Sequence, residues 1–318
     1  MTRASGPLAE ALGRGAVLLD GGLSNQLAAQ GCDLSGDLWT ARVLAERPEQ
    51  VVAAHSAYAR AGARVLTTAA YQVGYEAFAA RGFDRAATTG LLRRSVRLAA
   101  RAADAAPHPV WVAASVGPYG AVLADGSEYR GRYGLSVRRL ADFHRPRIEA
   151  LLAEGPDVLA LETVPDPDEA EALLLVLAET GAAAWLGYTV ADGRTRSGAP
   201  LGEAFALAAR SPQVVAVGVN CCDPAQVLPA LEAAASVTSK PLLAYPNDGS
   251  VWDAATATWH PPAAPSPPWP VADWYRAGAR LLGGCCRVTP ADIARLGGRL
   301  PPAGPGAASG PRLRAAGK

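Results

Sequence analysis

Short apolar runs alternate with longer amphipathic runs along most of this chain. The apolar runs are nearly continuous and predict eight strands: Ala16–Asp20, Arg64–Ala69, Val110–Ser115, Asp157–Leu161, Ala184–Val190, Val214–Val219, Leu242–Tyr245 and Ala279–Leu282. Strands that are apolar throughout are typical of a parallel sheet buried on both faces. The amphipathic runs between them predict helices, among them Thr88–Ala105, Ser136–Glu154, Pro167–Glu179, Gly202–Arg210, Pro224–Ser236 and Thr289–Leu296.

The number and order of these units predict an α/β protein, a single (β/α)8 TIM barrel. A doubly wound sheet is the alternative, and it is disfavoured because no predicted strand is followed by a G-x-G-x-x-G or G-x-x-x-x-G-K-[ST] motif. We expect one domain over residues 1–300 and a disordered tail, rich in Gly, Ala, Pro and Arg, over residues 301–318. Two long segments, 117–134 and 247–270, follow the third and seventh strands, at the barrel end where loops carry chemistry.

Composition narrows the class of protein. With 50% hydrophobic and 19% charged residues the chain can bury a sizeable core, which excludes a disordered or fibrous protein. A net charge of +1 argues against nucleic acid or an anionic membrane as the main partner. No apolar run approaches the ~20 residues that cross a bilayer, and the first residues lack the apolar core of a secretory signal. We therefore expect a cytoplasmic protein.

Four of the five cysteines form two adjacent pairs, Cys221–Cys222 and Cys285–Cys286, which directly follow the sixth and eighth predicted strands. In a reducing compartment such pairs indicate metal or thiol chemistry rather than disulfides. The alternative for each pair is two buried, packed thiols. Two pairs at strand ends favour metal chemistry, and packing is kept as the interpretation of Cys222 and of Cys32.

Three cysteine thiolates and one open position make a catalytic zinc site. Neighbouring residues of a strand point to opposite faces, so Cys285 and Cys286 share one ion only if the strand ends before them. Gly283 and Gly284 give the backbone that freedom. Cys221, from the sixth strand, would then supply the third sulfur.

The same rim carries two acidic residues. Asp20-Gly21-Gly22 ends the first strand, and Glu162 ends the fourth in the run LALETVP. We interpret the glycines as a close-approach loop whose N–H groups bind a carboxylate, with an Asp20 that caps the next helix as the alternative. Glu162 is expected to bind a substrate amine, and a salt-bridged strand end is the alternative. The four histidines do not cluster.

These residues resemble the homocysteine S-methyltransferase family, which takes a methyl group from a small donor to make methionine. The matching stretches are LLDGGLSNQLAAQGCDLSGDLWTA, AGARVLTTAAYQ, ASVGPYGAVLADGSEYRGRYG, HRPRIEALLAEGPDVLALETVPDPDEA, GVNC, YPNDGSVWD and LLGGCCRVTPADI. GVNC together with GGCCR is a specific signature, whereas DGG alone is weak. ADGSEYRG and YPN-x-G are similar to the branch that uses S-methylmethionine or S-adenosylmethionine, and the oligomerisation arm of betaine-using relatives is not found.

The resemblance implies a role for each matching residue. Zinc falls on Cys221, Cys285 and Cys286, and the preceding residue, Asn220, is expected to position the Cys221 loop at the substrate site. Homocysteine binding falls on Glu162 and on Asp20, Gly21 and Gly22, and the donor-side aromatics fall on Trp39 and Tyr71. Zinc's open position would deprotonate the homocysteine thiol, so no separate catalytic base is expected. Cys222 departs from the family, in which many relatives have threonine at this position.

Two other functions stay open at this point. One is a betaine-dependent or other thiol methyltransferase, and the other is a vicinal-dithiol redox or metal-binding barrel protein without methyl transfer. A Schiff-base aldolase is disfavoured because Lys240 precedes the seventh strand and Lys318 lies in the tail.

Overall fold

A computed structural model of the protein describes residues 4, 6–34, 39–253, 258–260 and 269–301, except for the side chains of residues 39, 251–253, 258 and 259. The predicted tail therefore lies outside the described residues, apart from residue 301. In the described part, eight parallel strands form one sheet: β1 (Val17–Leu18), β2 (Val65–Thr67), β3 (Trp111–Val116), β4 (Val158–Val164), β5 (Ala184–Tyr188), β6 (Val214–Asn220), β7 (Leu242–Tyr245) and β8 (Ala279–Leu282).

The sheet closes into a barrel. Each strand pairs with its neighbours in chain order, and β1 pairs in parallel with β8 through Val17–Leu281 and Leu18–Leu282. A parallel bridge between Leu19 and Val65 joins β1 to β2 and completes the ring. The predicted (β/α)8 barrel is confirmed.

Helices follow the strands along the chain and surround the barrel, except the first helix, which precedes β1. They are α1 (Leu8–Arg14), α2 (Leu23–Ala29), α3 (Trp39–Glu46), α4 (Pro48–Arg60), α5 (Tyr75–Ala79), α6 (Arg85–Asp104), α7 (Tyr119–Leu123), α8 (Val137–Leu152), α9 (Pro167–Thr180), α10 (Leu201–Ala209), α11 (Val227–Ala235), α12 (Val271–Arg276) and α13 (Pro290–Gly297). Local sequence sets their starts: the Asp84 carboxylate accepts from the Ala87 N–H at 2.7 Å before α6, and Thr289 and Asp292 form a capping box at α13. None of the helices in the described part is long and apolar enough to span a membrane.

The core has two layers because the strands are buried on both faces. Inside the barrel, Trp111, Trp185, Leu243 and Leu281 pack with Leu8 and Leu12 of α1. The Trp111 indole donates to the Gly6 carbonyl at 3.0 Å, which places α1 at the end of the barrel where the strands begin. Active sites of (β/α)8 barrels lie at the opposite end, where the strands finish.

All eight predicted strands are found, but only β7 and β8 match at both ends; β1, β2 and β5 are shorter than predicted, and β4 is longer. It continues past Leu161 to Val164, with a break in register before Val164, so Glu162 lies within the strand rather than after it. The extension depends on Asn220 of β6, whose side-chain oxygen accepts from the Thr163 N–H at 2.7 Å. Two antiparallel ribbons, Val190–Ala191 with Arg194–Thr195 and Val251–Asp253 with Thr258–His260, were not predicted.

Candidate active site

Three thiols meet at the end of the barrel where the strands finish. The Sγ atoms of Cys221 and Cys286 are 3.7 Å apart, those of Cys285 and Cys286 are 4.0 Å apart, and all three lie within 4.8 Å of one another. Cys221 follows β6 directly and adopts a left-handed conformation with φ of 48°. The strand β8 ends at Leu282, as the sharing of one ion by two adjacent cysteines requires. The cluster could hold a metal ion.

The segment that follows β7 holds the two cysteine loops together. The Cys221 N–H donates to the Tyr245 carbonyl at 3.1 Å, and the Cys285 N–H donates to the Pro246 carbonyl at 2.8 Å. The Cys286 N–H donates to the side-chain oxygen of Asn247 at 3.2 Å. The cysteine loops are therefore positioned by two main-chain carbonyls and one side-chain amide of the segment that follows β7.

Close packing explains the glycines before the cysteine pair. A Cβ atom on Gly284 would lie 2.1 Å from a methyl carbon of Val288, and one on Gly283 would lie 2.8 Å from the Asp20 carbonyl oxygen. The Gly284 N–H also donates to that oxygen at 3.1 Å. Gly283 is thus required by the close approach of the loops after β8 and β1, and Gly284 by packing within the loop after β8.

Hydrogen bonds among the three thiols move their pKa values apart. Bonds with Cys285 and Cys286 lower the pKa of the Cys221 thiol well below the usual value for cysteine. The same bonds with Cys221 raise the pKa of Cys285 and of Cys286. Tyr129, whose Oη atom lies 3.2 Å from Cys221 Sγ, also lowers the pKa of Cys221.

The other two cysteines lie apart from the cluster. Cys222 is buried in the outer hydrophobic core, and burial raises the pKa of its thiol. Cys32 is buried in the same core. A packing role is consistent with both positions.

Asp20 pairs with the neighbouring strand. Its carboxylate accepts from the Thr67 N–H at 2.7 Å and from the Thr67 hydroxyl at 3.0 Å. Burial raises the pKa of Asp20 to about 8 in spite of these bonds, and the nearby charge of Glu162 adds to the rise. The alternative that Asp20 caps the next helix is wrong, because Gly22 is the N-cap residue of α2.

The glycines after Asp20 pack against the cysteine loop. A Cβ atom on Gly22 would lie 2.7 Å from the Cys285 carbonyl oxygen, and one on Gly21 would lie 2.5 Å from the Val288 carbonyl oxygen. The Gly22 N–H donates to Val288 at 2.9 Å. The expectation that these N–H groups bind a carboxylate is therefore wrong for Gly22, whose N–H is already used within the protein.

Glu162 lies inside the mouth of the barrel. Its Oε1 atom accepts from the Ser115 hydroxyl at 2.5 Å and its Oε2 atom from the Tyr245 hydroxyl at 3.3 Å. Burial raises the pKa of Glu162 to about 7, and the charge of Cys221 adds to the rise. A nearby substrate cation would lower this pKa again, so the carboxylate is suited to bind an ammonium group.

The Asn220 side chain joins the end of β6 to the end of β4. Its side-chain oxygen accepts from the Thr163 N–H, and its Nδ2 atom donates to the Thr163 hydroxyl at 2.8 Å. Thr163 has a φ of 59°, a conformation that non-glycine residues adopt rarely. Asn220 thus fixes the end of β4, immediately after Glu162.

The predicted donor-side aromatics have different outcomes. The Tyr71 side chain is part-buried beside Gly117, where a Cβ atom would lie 2.6 Å from the Tyr71 ring. Burial raises the pKa of Tyr71, and the charges of Glu128 and Cys221 raise it further, which places this phenol near the thiol cluster. The side chain of Trp39 lies outside the described residues.

Three residues of this region were not identified from the sequence. Tyr129 contacts Cys221, and Glu128, beside it, is buried. Arg147 of α8 is buried too and donates to the carbonyls of Tyr71 at 3.1 Å and Gly117 at 2.9 Å. Glu128 and Tyr129 stand in the run ADGSEYRG, so the motif was visible although the roles were not.

Comparisons with known proteins agree with this geometry. The model of the family described as homocysteine S-methyltransferase matches residues 17–300. Homocysteine S-methyltransferase from Escherichia coli (strain K12) is 48% identical over 295 residues, which are 89% of this chain and 94% of that protein. Homocysteine S-methyltransferase YbgG from Bacillus subtilis (strain 168) is 42% identical over 294 residues, covering 88% and 93%. The crystal structure of the metallated form of the homocysteine methyltransferase MmuM from Escherichia coli is 45% identical, with a TM-score of 0.80, and the match covers 89% of this chain and 96% of that one.

Proposed function

This chain belongs to the homocysteine S-methyltransferase family and transfers a methyl group to homocysteine, and we propose that it does so with zinc on Cys221, Cys285 and Cys286 and with a small sulfonium compound as donor. The preferred donor is S-methylmethionine, before S-adenosylmethionine, and the product is methionine. The observation that carries the proposal is the cluster of three sulfur atoms within 4.8 Å at the catalytic end of the barrel.

The three sulfur ligands suit zinc. Three thiolates in a partly buried cluster are typical of this soft-ligand, tetrahedral metal, and a fourth position is left for substrate. The related E. coli structure is a metallated form, which supports a bound metal in this chain as well. When bound, zinc would act as a Lewis acid that lowers the pKa of a thiol at its open position, so that no protein base is needed.

The chain's own residues orient the acceptor. Glu162 presents a buried carboxylate beside Cys221 and would bind the homocysteine ammonium. The Ser115 and Tyr245 hydroxyls fix the Glu162 carboxylate from two sides. Asp20 and the glycines after it hold the cysteine loop in place through direct contacts.

The rest of the mouth suits a methylated cation. Tyr71 and Tyr129 place aromatic rings near the thiols, and such rings attract cations that carry no N–H groups. A dry aromatic wall helps mainly by positioning, because a sulfonium loses its charge as the methyl group leaves. The likeness of ADGSEYRG and YPNDG to the sulfonium-using branch favours that donor over betaine.

Several other expectations stay predictions. These are the cytoplasmic location, the absence of a nucleic-acid partner and the assignment of residues 1–300 to one domain.

One assay tests the proposed function. Zinc-loaded protein is given homocysteine and, in separate reactions at equal concentration, S-methylmethionine, S-adenosylmethionine or betaine, and methionine is measured. We expect S-methylmethionine to react fastest. A clear preference for betaine would overturn the donor assignment and leave the metal assignment intact. Full activity after zinc is removed would overturn the role of the metal.

A further inference from the structure

One carboxylate at the mouth has an oxygen that no part of the described protein satisfies. Glu128 lies in the 3₁₀ turn Ser127–Tyr129 and is only 4% exposed. Its Oε2 atom is buried without a hydrogen-bond partner among the described residues. Buried polar atoms are nearly always paired, since leaving one unpaired costs free energy. The unpaired atom therefore indicates a group that binds there.

The turn that carries Glu128 is fixed in place. A Cβ atom on Gly120 would lie 2.4 Å from the Glu128 backbone nitrogen, so α7 and the turn are in close contact. The Asp125 carboxylate accepts from the Ser127 N–H at 3.0 Å. The turn is therefore packed against α7 and closed by a local hydrogen bond.

Glu128 shares the mouth with the thiol cluster. The next residue, Tyr129, places its hydroxyl 3.2 Å from Cys221 Sγ. Burial raises the pKa of Glu128 to about 7, and the charge of Cys221 raises it further. Glu128 in turn raises the pKa of Tyr71. The carboxylate is thus near both the sulfur cluster and the aromatic wall.

Glu162 differs from Glu128 in its partners. Both of its oxygens already accept hydrogen bonds, from Ser115 and Tyr245, whereas Glu128 keeps one free acceptor. A free carboxylate oxygen requires an N–H or O–H donor. A sulfonium or quaternary ammonium centre has neither, but a primary ammonium has three N–H groups.

We propose that Glu128 accepts a hydrogen bond from the α-ammonium group of an amino-acid methyl donor and so selects sulfonium amino acids over donors that lack an amine. The inference rests on the proposed function, because it names the part of the donor that the protein recognises. Betaine and simple sulfonium acids provide no such group. Donor selectivity would then be set at Glu128, while Glu162 serves the acceptor.

The test compares two donors in one variant. Glu128→Gln keeps the size of the side chain and removes its charge; Asp125→Asn is the matched control, since it removes a charge from the same loop but keeps an oxygen for the Ser127 N–H. The donors are S-methylmethionine and dimethylsulfonioacetate, a sulfonium acid without an amine. The kcat/KM is measured for each donor; where dimethylsulfonioacetate reacts too slowly, its inhibition constant as a competitor of S-methylmethionine is measured instead. A ratio of donors within one variant does not depend on the folded fraction.

We expect Glu128→Gln to lower kcat/KM for S-methylmethionine about 10- to 150-fold, the effect of one lost charged hydrogen bond. The values for dimethylsulfonioacetate and the KM for homocysteine should stay within about twofold, and Asp125→Asn should resemble the parent protein. An unchanged ratio between the donors, or a raised KM for homocysteine alone, would overturn the inference. If the parent protein transfers no methyl group from S-methylmethionine, the proposed donor itself is wrong, and the inference is overturned with it.

Discussion

The two sides of the barrel mouth are built in different ways. The acceptor wall, the side that we propose binds homocysteine, consists of Asp20, Glu162 and the three clustered cysteines, all placed at or near the ends of strands. The donor wall, the side that we propose binds the methyl donor, consists of Tyr71, Glu128 and Tyr129, which follow β2 and β3. The carboxylate oxygens of the acceptor wall have hydrogen-bond partners within the protein. In the donor wall, the buried Oε2 atom of Glu128 has no hydrogen-bond partner among the described residues.

The difference shows how each wall obtains its rigidity. Strand ends fix a side chain through the sheet, and neighbouring loops of the acceptor wall are joined by main-chain hydrogen bonds. The donor wall has no strand of its own, and the buried guanidinium of Arg147 fixes the backbone at Tyr71 by donating to the carbonyls of Tyr71, Val73 and Gly117. Substitutions in the two walls should therefore affect different substrates.

The largest effect is expected at the metal cluster. Cys285→Ala removes one of three sulfur ligands, so it should abolish both bound zinc and turnover. Elemental analysis of freshly purified, reduced protein, together with the methionine assay, measures both. Cys222→Ala is the matched control and should spare both, because Cys222 packs in the outer core. Activity that persists in a zinc-free Cys285→Ala protein would contradict the assignment of Cys285 as a ligand of a catalytic zinc ion.

A smaller effect is expected at Glu162. A charged hydrogen bond to the homocysteine ammonium is worth roughly 1.5–3 kcal/mol, so Glu162→Ala should lower kcat/KM for homocysteine about 10- to 150-fold. Zinc content should not change. The control is Glu171→Ala, which removes an exposed carboxylate from α9. Unchanged kinetics with full metal content would show that Glu162 has a structural role alone.

The smallest effect is expected for a substitution behind the donor wall, and it should change the KM for the methyl donor rather than the KM for homocysteine. Arg147 donates to the carbonyls of Val73, Gly117 and Tyr71, and a lysine cannot reach all three with its compact ammonium group. Arg147→Lys should raise the KM for the donor about tenfold, the lower end of the range for one charged hydrogen bond, because the lysine still makes part of the contacts. The KM for homocysteine and the zinc content should stay as they are.

The control for this variant lies on the same helix. Arg145→Lys alters an exposed ion pair with Glu179, which contributes little to stability. An equal rise in the KM for both substrates in Arg147→Lys would contradict the separation of the two walls.

The strands were predictable because their ends are marked locally. β7 and β8 match the prediction at both ends: Pro241 precedes β7, and Gly283 follows β8. β4 was predicted too short because its last residues depend on Asn220, which is 57 positions away from Thr163 in the chain. A pairing between distant side chains leaves no periodic pattern in the sequence.

The site shows the same division. Cys221, Cys285 and Cys286 were predicted to meet because strand order alone brings the ends of β6 and β8 to one rim. Tyr129 and Glu128 lie in a loop, and loop sequence does not fix where a side chain points. Their contacts are therefore visible only in the structure, although the motif ADGSEYRG that contains them is visible in the sequence.

Zinc-edge X-ray absorption of the zinc-loaded protein tests the central claim most directly, because it counts the sulfur atoms around the metal. Without substrate we predict three sulfur ligands at about 2.3 Å. With homocysteine added, the count should rise to four, since the acceptor's sulfur takes the open position. A count that stays at three, or a metal shell without sulfur, would contradict the account.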